Sequence, residues 1–507
     1  MTVTTGAAQP ADTAWLGIDV GTQGARAVVV DSFGVLLGRG SAPLSRAVQR
    51  SGVHHEQDPR LWWSALCAAT RAATASLGGR RGRPLGALAI DSTSGTVLVQ
   101  DRAGAARGPA LMYDDGRAAV QARRVQEAGE QVWSSLGYRI QRTWALPKVC
   151  WLLDQGAVGD GDTVVHQADH LAARLTGHTV ATDTSHALKT GYDLVRLTWP
   201  QEVLAALRVP AGVLPSVVAP GTVLGTVSQG AAAQTGIPEG TPVKAGMTDG
   251  CAAQISARAL TPGAWTSALG TTLVVKGCTA ELLKDPSGVV YCHRNPDGGW
   301  LPGGASSTGA GVIAREFAGA DLDDLTRCAA ARDPEPAPGV TYPLTGTGER
   351  FPFLAAEATG FREGVSDDPV VRFAGVLQGI AFLERLAYDV LGGLGADTTG
   401  PMTFSGGATR NHYWNQLRAD VLGRPALLPS MVEAALGMAV LAAAPPGRLA
   451  RTAESMVRVK QVLEPDNERG ARFEDAYDRF RTRLVDRGWL DARWLVAAHH
   501  ATKAGDP

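Results

Sequence analysis

Two segments far apart in the chain share one pattern, in which an apolar strand leads into a Gly-Thr turn and a second apolar strand. The first is Trp15-Leu-Gly-Ile-Asp19-Val-Gly21-Thr22-Gln23-Gly24-Ala-Arg26, and the second is Ala268-Leu-Gly270-Thr271-Thr272. A turn glycine tolerates positive φ, and its missing Cβ lets an anion approach the backbone. The pattern therefore predicts two β-hairpins whose turns bind phosphate through backbone N–H groups and threonine hydroxyls.

Asp19 adds information that phosphate binding alone does not explain. A carboxylate repels a polyphosphate unless a divalent cation lies between the two. The first segment therefore predicts a magnesium nucleotide rather than a bare anion. Because a single Gly-Thr turn is common at strand ends, the prediction depends on both segments and the acid together.

The composition favours a globular protein with small-molecule partners. The chain has 507 residues, which is enough for two large domains, and 45% of them are hydrophobic against 19% charged. The formal net charge is −1, from 48 basic and 49 acidic residues, with no long run of one sign. This balance gives no electrostatic footprint for nucleic acid or for an anionic membrane.

Targeting and redox features point to the cytoplasm. Residues 1–14 lack the basic start and apolar core of an export signal, so we expect a short disordered lead. The apolar run 434–444 is shorter than the roughly 20 residues that span a bilayer and predicts a buried helix. The six cysteines form no Cys-x-x-Cys pair, which argues against a structural zinc and against a disulfide framework.

The order of strand and helix patterns predicts an α/β fold with two similar halves. Residues 61–72 have the pattern of an amphipathic helix, and 85–90 have that of a strand leading to Asp91. A comparable order begins again after residue 245, with a long helix over 373–391. We predict an N-terminal domain over 15–255, a C-terminal domain over 256–490 and a tail over 491–507.

A third segment, Lys244-Ala-Gly-Met-Thr-Asp249-Gly250, places an acid between glycines after a strand-like stretch. Phosphoryl transfer to a hydroxyl needs a residue that receives the proton of the acceptor, and an aspartate suits this task. Asp249 is therefore the candidate base. Equally, it is explained as a turn residue that caps the following helix.

A fourth segment, Ser405-Gly406-Gly407-Ala-Thr-Arg410-Asn411, has a strand that ends in two glycines before a helix. A planar ring can approach the backbone closely at such a place. An ordinary tight turn between a strand and a helix explains the two glycines as well.

Taken together, four motifs resemble the FGGY family of carbohydrate kinases: Asp19-x-Gly-Thr, Gly246-Met-Thr-Asp249-Gly, Ala268-Leu-Gly-Thr-Thr and Ser405-Gly-Gly-Ala-x-x-Asn. They occur in this order across nearly the whole chain. The resemblance implies two ribonuclease-H-like (actin-like ATPase) domains with a catalytic cleft between them. It also implies transfer of the γ-phosphoryl group of ATP, with Mg²⁺, to a sugar or polyol.

The resemblance assigns roles to individual residues. Asp249 would be the catalytic base and, with Asp19, would hold Mg²⁺ through water. The other residues that it implies for the nucleotide are Gly21, Thr22, Gln23 and Arg26 in the first turn, Gly270, Thr271 and Thr272 in the second, and Gly406, Gly407 and Asn411 beside the adenosine. Gln23 and Gly250 depart from the family pattern, which often has Ser or Thr at the first position and Asn or Gln at the second.

Three further segments resemble the D-ribulose kinase branch of the family: Leu111-Met-Tyr113-Asp114-Asp115-Gly-Arg117-Ala, His166-Gln-Ala-Asp169-His-Leu and Ala187-Leu-Lys189-Thr-Gly191-Tyr192-Asp193. The stretch Asp91-Ser-Thr-Ser94-Gly95-Thr96 has neither the Gln-Met-His pattern of xylulokinases nor the Arg-Glu pair of glycerol kinases. The resemblance thus favours D-ribulose, phosphorylated to D-ribulose 5-phosphate. A xylulokinase or pentitol kinase is the alternative within the family.

An uncharged sugar needs hydroxyl, amide and carboxylate partners, which Ser94, Asp114 and Asp115 would supply, and we expect Asp249 to contact the sugar as well. Asp114 and Asp115 are equally explained as turn residues, with Arg117 pairing one of them. A function of another class, a non-catalytic actin-like nucleotide switch or sugar sensor, would use the same phosphate turns. The presence of Asp249 favours the kinase, and a homodimer is a further expectation.

Overall fold

The computed structural model describes residues 13–46, 48–77, 83–332 and 335–496. In chain order, the strands are β1 (Ala14–Val20), β2 (Gly24–Asp31), β3 (Leu36–Pro43), β4 (Gln49–Ser51), β5 (His54–Gln57), β6 (Leu85–Ser92), β7 (Val97–Gln100), β8 (Ala110–Leu111), β9 (Thr163–His166), β10 (Thr182–Asp183), β11 (Val217–Val218), β12 (Val223–Thr226), β13 (Pro242–Lys244), β14 (Trp265–Leu269), β15 (Leu273–Gly277), β16 (Tyr291–Arg294), β17 (Trp300–Ala305), β18 (Val340–Glu349), β19 (Ala355–Glu363), β20 (Met402–Ser405), β21 (Ala426–Pro429) and β22 (Val459–Leu463).

The α-helices, again in chain order, are α1 (Pro59–Thr74), α2 (Ala119–Ala128), α3 (Glu130–Ser135), α4 (Ala145–Asp154), α5 (Gln167–Thr176), α6 (Thr184–Ala187), α7 (Gln201–Ala206), α8 (Gln229–Thr235), α9 (Asp249–Ser256), α10 (Gly311–Glu316), α11 (Leu322–Ala331), α12 (Pro369–Gly393), α13 (His412–Leu422), α14 (Ala434–Ala443), α15 (Leu449–Met456), α16 (Asn467–Ala471), α17 (Glu474–Asp486) and α18 (Arg493–Val496).

The chain divides into two compact units. The first contains the described residues up to Arg258 together with His293–Gly298 and Met431–Arg458. The second contains Ala259–Cys292, Gly299–Ser430 and the described residues from Val459 onward.

The main sheet of the first unit has six strands in the order β12-β13-β6-β1-β2-β3. Strands β1, β2 and β3 form an antiparallel meander, whereas β6 runs parallel to β1 and β13 runs parallel to β6. A side sheet in the order β4-β5-β8-β7-β9 is built from strands that precede and follow β6 in the chain. Because parallel neighbours end at the same edge, residues that follow β1, β6 and β13 come together.

The main sheet of the second unit repeats this arrangement, in the order β16-β17-β15-β14-β20-β21-β22. Strands β17, β15 and β14 are antiparallel, β20 is parallel to β14, β21 is parallel to β20, and β22 closes the edge antiparallel to β21. Both predicted hairpins are present, β1–β2 and β14–β15. The α/β architecture with one strand order used twice agrees with the expected pair of ribonuclease-H-like domains.

Close packing of glycines holds a helix against the main sheet of the first unit. Every residue of β1 is buried, and α14 contacts β1, β6 and α9. A Cβ added to Gly17 in β1 would lie 1.8 Å from the carbonyl oxygen of Ala435, and one added to Gly437 would lie 1.9 Å from that of Ala252. The buried helix predicted over 434–444 is therefore confirmed, and its glycine allows backbone-to-backbone contact.

The position of α14 differs from the domain boundaries predicted from the sequence. The sequence places Met431–Arg458 in the C-terminal domain, whereas the structure places this segment in the first unit. The change of unit near Arg258 lies close to the predicted boundary at 255 and 256. Ala14 already belongs to β1, and residues 1–12 of the predicted lead and 497–507 of the predicted tail lie outside the described residues.

Within the described ranges, no helix combines the length and the apolar character needed to cross a membrane.

Candidate active site

The first predicted phosphate turn joins β1 to β2. The N–H of Gly21 donates to the carbonyl oxygen of Gly24 at 3.0 Å, which closes the turn. The nearest atom to a Cβ built on Gly21 is Asp19 Oδ1, 3.9 Å away, so nothing crowds this face of the backbone. Thr22 is half-buried and Gln23 is exposed. The turn thus has the open backbone that an anion needs.

Three aspartates gather where β1, β6 and β13 end. Asp19 and Asp91 are partners in the parallel register of β1 and β6. Ser92, the next residue of β6, pairs with Thr248, which directly precedes Asp249. Asp91 is fully buried, and sequence reasoning did not assign it to the site although it named the strand that ends there. The aligned strand ends are the signal that identifies it.

Burial and neighbouring carboxylates disfavour ionisation in this cluster. Burial raises the pKa of Asp19, the Arg26 guanidinium partly offsets the rise, and Asp249 adds to it. Burial also raises the pKa of Asp91 well above its ordinary value, and the charges of Asp19 and Asp249 raise it further. Arg26 Nη1 donates to Asp19 Oδ2 at 3.2 Å. Arg26 therefore contacts a predicted site residue from the neighbouring strand.

Asp249 is the first residue of α9, and it is half-buried. The N-cap of this helix is Thr248, which makes no side-chain capping bond, so Asp249 lies in the first turn rather than at the cap position. Asp249 Oδ1 accepts a hydrogen bond from the N–H of Gly250 at 2.7 Å. The positive end of the helix dipole favours the ionised carboxylate at this position.

No group of three or more histidine, cysteine or acidic side chains within the described ranges has the arrangement of a complete metal-ligand set. Asp19 and Asp249, the predicted magnesium ligands, would supply only part of a coordination shell. Mg²⁺ commonly takes one or two carboxylates and completes its shell with water and substrate phosphate.

Ser94 and Asp114, the residues predicted to contact the acceptor, each have a buried polar atom without a partner among the described residues. These atoms are Ser94 Oγ and Asp114 Oδ1. The other oxygen of Asp114, Oδ2, accepts from Arg50 Nη2 at 3.0 Å and lies 3.0 Å from His55 Nδ1. Buried polar atoms are normally hydrogen-bonded, so the two orphan atoms mark a place for a polar ligand.

Asp115 behaves differently from its neighbour. It is fully buried, and Arg117 donates to both of its carboxylate oxygens, at 2.9 Å from Nε and 2.7 Å from Nη2. The N–H of His55 also donates to it, at 2.6 Å. The interpretation as a structural ion pair therefore applies to Asp115, whereas Asp114 keeps an oxygen for another partner.

Lys148 in α4 links the two segments that carry the acceptor residues. Its ammonium group is fully buried and donates to the carbonyl oxygens of Gly95, at 3.0 Å, and of Met112, at 2.5 Å. Gly95 follows Ser94, and Met112 lies two residues before Asp114. Burial lowers the pKa of Lys148 to about 7. A lone lysine inside the apolar run of α4 was the only sequence signal for this residue.

Lys189, which sequence reasoning left out of the site, contacts the same loop. Its Nζ donates to the carbonyl oxygen of Ser94 at 3.2 Å. The loop between β6 and β7 is thus held from two sides by lysine ammonium groups. This bonding fixes the backbone on which Ser94 is carried.

The second predicted phosphate turn joins β14 to β15. The N–H of Gly270 donates to the carbonyl oxygen of Thr272 at 3.1 Å, and no atom lies within 4 Å of a Cβ built on Gly270. The following loop packs on the turn: the N–H of Ala310 donates to the oxygen of Gly270, and that of Gly311 donates to the oxygen of Thr271. This turn has the same open glycine face as the first.

Glu349 organises the loop beside the second turn and was not predicted. Its buried carboxylate accepts from Ser306 Oγ at 2.9 Å, the N–H of Ser307 at 2.6 Å and Thr308 Oγ1 at 2.8 Å. Tyr342 adds its hydroxyl at 2.8 Å. These donors together hold the Glu349 carboxylate in one orientation. Because the three donors at 306–308 lie more than forty residues from Glu349 in the sequence, no local pattern identifies it.

The two glycines after β20, Gly406 and Gly407, have different surroundings. Gly406 has φ +86°, and an added Cβ would lie 2.4 Å from the oxygen of Leu269, so a tight turn explains this glycine. Gly407 has nothing within 4 Å and keeps an open face. Asn411 caps α13 by accepting from the N–H of Trp414 at 2.9 Å, and its Nδ2 donates to Thr326 Oγ1. Their contact with adenosine stays a prediction.

Comparison with known proteins identifies the family. Residues 14–256 match the N-terminal domain, and residues 266–445 the C-terminal domain, of the FGGY family of carbohydrate kinases. A xylulose kinase of Streptomyces coelicolor is 31% identical over 444 residues, which cover 84% of this chain and 87% of the relative. The chain belongs to the FGGY family of carbohydrate kinases. It is therefore a phosphotransferase that acts on a sugar or polyol and uses ATP.

Further comparisons of this FGGY kinase extend across almost the full chain. A glycerol kinase of Aromatoleum aromaticum is 28% identical, covering 94% of this chain and 99% of the relative. The crystal structure of xylulose kinase from Rhodospirillum rubrum has a TM-score of 0.82 and 24% identity, covering 94% of this chain and 99% of that one. The first similarity agrees with the family, and the second shows the fold.

Proposed function

We propose that this FGGY kinase phosphorylates the terminal hydroxyl of a ketopentose, with D-ribulose as acceptor and D-ribulose 5-phosphate as product. The observation that carries this proposal is the pair of buried orphan atoms, Ser94 Oγ and Asp114 Oδ1. A hydroxyl and a carboxylate oxygen both bind sugar hydroxyl groups, whereas a carboxylate repels an acidic sugar. The pair therefore supports a neutral polyol or ketose.

The choice between ketopentoses depends on the segment that carries Ser94. The stretch Asp91-Ser-Thr-Ser94-Gly95-Thr96 lacks the Gln-Met-His pattern of xylulokinases, which favours D-ribulose. D-Xylulose is the second candidate, because the Streptomyces coelicolor relative is named a xylulose kinase.

The side chains of the first unit support a mechanism based on positioning. Ser94 Oγ and Asp114 Oδ1 hold hydroxyl groups of the acceptor, and Asp249 receives the proton of the hydroxyl that attacks the γ-phosphorus of ATP. Ser92 pairs with Thr248, so the segments that carry Ser94 and Asp249 are neighbours. A carboxylate suffices as base because a loose transition state asks mainly for orientation.

The aspartate cluster fits a divalent cation. Burial raises the pKa of Asp19 and of Asp91, and the charge of Asp249 adds to both rises. An added positive charge would offset these effects. Asp19 and Asp249 would hold Mg²⁺ through water, and the cation would neutralise negative charge on the phosphates.

The remaining nucleotide contacts belong to this proposal as well. The open turn at Gly21 and Thr22, the open turn at Gly270, and the uncrowded Gly407 would bind phosphates and adenosine through the backbone. All six cysteines are free thiols, which supports a cytoplasmic enzyme.

A coupled assay of ADP formation tests the proposal. The purified kinase is given Mg-ATP with D-ribulose, D-xylulose, ribitol, glycerol or gluconate, and kcat/KM is measured for each. We expect D-ribulose to exceed the others by at least about tenfold, since one hydrogen-bonding mismatch in a polar pocket has at least this effect. Phosphorus NMR of the product should show the 5-phosphate ester.

Three outcomes contradict the assignment. A higher kcat/KM for D-xylulose would move the enzyme to the second candidate, and a preference for gluconate would overturn the neutral pocket. ATP hydrolysis that ignores every sugar would indicate a nucleotide switch.

A further inference from the structure

A buried polar cluster lies beside the candidate base and has no role in the mechanism above. It consists of Asp183, Ser185 and His186, where β10 leads into α6, and its side chains are at most 3% exposed. Asp183 Oδ1 accepts from the N–H of Ser185 at 2.7 Å and from that of His186 at 3.1 Å. Asp183 thus holds the start of α6 in place. We call these three residues the Asp183 cluster.

One branch of the cluster reaches the backbone next to Asp249. Ser185 Oγ donates to Asp183 Oδ1 at 2.6 Å, which leaves the lone pairs of the hydroxyl as acceptors. The N–H of Thr248 donates to Ser185 Oγ at 2.9 Å. Thr248 is the N-cap of α9 and is 1% exposed. The bond therefore fixes the residue from which α9 and its first side chain, Asp249, begin.

A second branch reaches the end of β6. His186 Nδ1 lies 2.5 Å from Asp183 Oδ2, and His186 Nε2 lies 3.1 Å from Ser92 Oγ. Ser92 follows Asp91 and pairs with Thr248. Both branches therefore end on the two backbone segments that present Asp91 and Asp249.

The electrostatics of the cluster agree with its geometry. Burial disfavours the charged imidazolium, yet the charge and hydrogen bond of Asp183 outweigh burial and raise the pKa of His186. Asp249 contributes to this rise, so its carboxylate lies within electrostatic reach of the ring. A charged, fully buried Asp–His pair is rigid, because neither partner can turn away without losing its counter-charge.

We propose that the Asp183 cluster is a positioning device for the catalytic base, in which the Ser185 hydroxyl holds the Thr248 amide and thereby sets the direction of the Asp249 carboxylate. The inference depends on the proposed function, since it takes Asp249 as the base. Ser185 acts through Thr248 rather than on the sugar. Losing such orientation lowers kcat and leaves nucleotide binding unchanged.

The test is Ser185→Ala, which removes one oxygen and leaves the Thr248 N–H without its acceptor. We expect kcat with the preferred sugar to fall by about 10-fold to 100-fold, while the KM for ATP stays within about twofold. Hydrogen exchange at the Thr248 amide should accelerate by at least about tenfold, because the bond that protects it is gone.

Thr70→Val is the matched control. Thr70 lies in the same unit, is fully buried, and its hydroxyl donates to the carbonyl oxygen of Thr235 at 2.9 Å. Losing this hydroxyl should lower the unfolding temperature without changing kcat or the exchange of the Thr248 amide. If Ser185→Ala does not give folded protein, Ser185→Cys is the substitute, because its thiol fills the site and is a weaker hydrogen-bond acceptor. We expect smaller changes in kcat and in Thr248 amide exchange, in the same direction.

The outcomes separate this inference from the proposed function. If the wild-type protein phosphorylates no sugar, the proposed function fails, and the exchange measurement still decides whether Ser185 holds Thr248. If the wild type is active and Ser185→Ala keeps both its kcat and its slow amide exchange, the positioning role is overturned. Equal losses of kcat in Ser185→Ala and Thr70→Val would also overturn it.

Discussion

Asp19 and Asp91 are register partners on neighbouring parallel strands, so two buried carboxyl groups stand side by side at one end of a sheet. Burial disfavours this arrangement, because an ionised carboxylate makes the ionisation of a neighbouring carboxyl group more costly. The cluster therefore reduces the stability of the unliganded protein, which agrees with the proposed role of a divalent cation. Several measurable consequences follow from this site and from the packing around it.

Asp91→Asn should raise the unfolding temperature of the unliganded protein at pH 8. The amide keeps the shape of the carboxyl group but cannot ionise. Because the pKa of Asp91 is raised well above its ordinary value, the substitution should raise the free energy of unfolding by at least about 1 kcal/mol. Thermal unfolding of the wild type and the variant checks this. A lower unfolding temperature for the variant would show that the charge is compensated within the protein.

Asp249→Ala should lower kcat by at least about a hundredfold, because it removes the proton acceptor and not a phosphate contact. The Kd for ATP should stay within about twofold of the wild-type value, since the nucleotide-binding backbone is intact. Steady-state kinetics and calorimetric titration measure the two quantities. Exposed Asp160→Ala is the control, and near-normal turnover of Asp249→Ala would rule Asp249 out as the base.

Lys148→Met should raise the KM for the sugar by about tenfold and leave the KM for ATP unchanged, because the Gly95 and Met112 carbonyls lose their common donor. The segments that carry Ser94 and Asp114 would then be free to shift. Initial rates at varied sugar and varied ATP separate the two constants. The exposed Lys460→Met should change neither, and an unchanged sugar KM in Lys148→Met would contradict the linking role.

Gly437→Ala should destabilise the protein by at least about 2 kcal/mol, since the new methyl group would overlap the carbonyl of Ala252. Gly230→Ala in α8 is the matched control. No atom lies within 4 Å of that position, and the helix should gain about 0.5–1 kcal/mol. Denaturant unfolding followed by circular dichroism gives both values. Equal effects at the two glycines would contradict the close packing of α14.

His170→Gln should make the protein less sensitive to acid. Burial lowers the pKa of His170 to about 4 in the folded state. The unfolded chain therefore binds more protons, and stability is lost as pH falls from about 6.5 towards 4, by about 3 kcal/mol in all. Unfolding midpoints at pH 7, 6 and 5 should fall less steeply in the variant. Exposed His178→Gln should keep the wild-type slope.

Much of the fold was predictable because its signals are local. The Gly-Thr turns at Gly21 and Gly270, the long helix now seen as α12, and the buried helix α14 each follow from residues adjacent in sequence. The acids Asp19 and Asp249 were predictable for the same reason. Their chemistry is unusual at the end of an apolar strand.

The missed features depend on contacts between distant segments. Lys148 acts on carbonyl groups of two other segments, and Glu349 gathers donors that lie some forty residues away. The role of Ser185 appears only when Thr248 is brought next to it. No periodicity or motif contains such information, because it arises from the register of the strands rather than from the strands themselves.

The placement of α14 has a consequence for synthesis on the ribosome. The face of β1 at Gly17 is covered by α14, so the first unit cannot be completed until most of the polypeptide has been translated. During synthesis, the N-terminal half therefore exposes the face of its main sheet that α14 later covers. Exposed apolar surface of this kind is what chaperones bind on nascent chains.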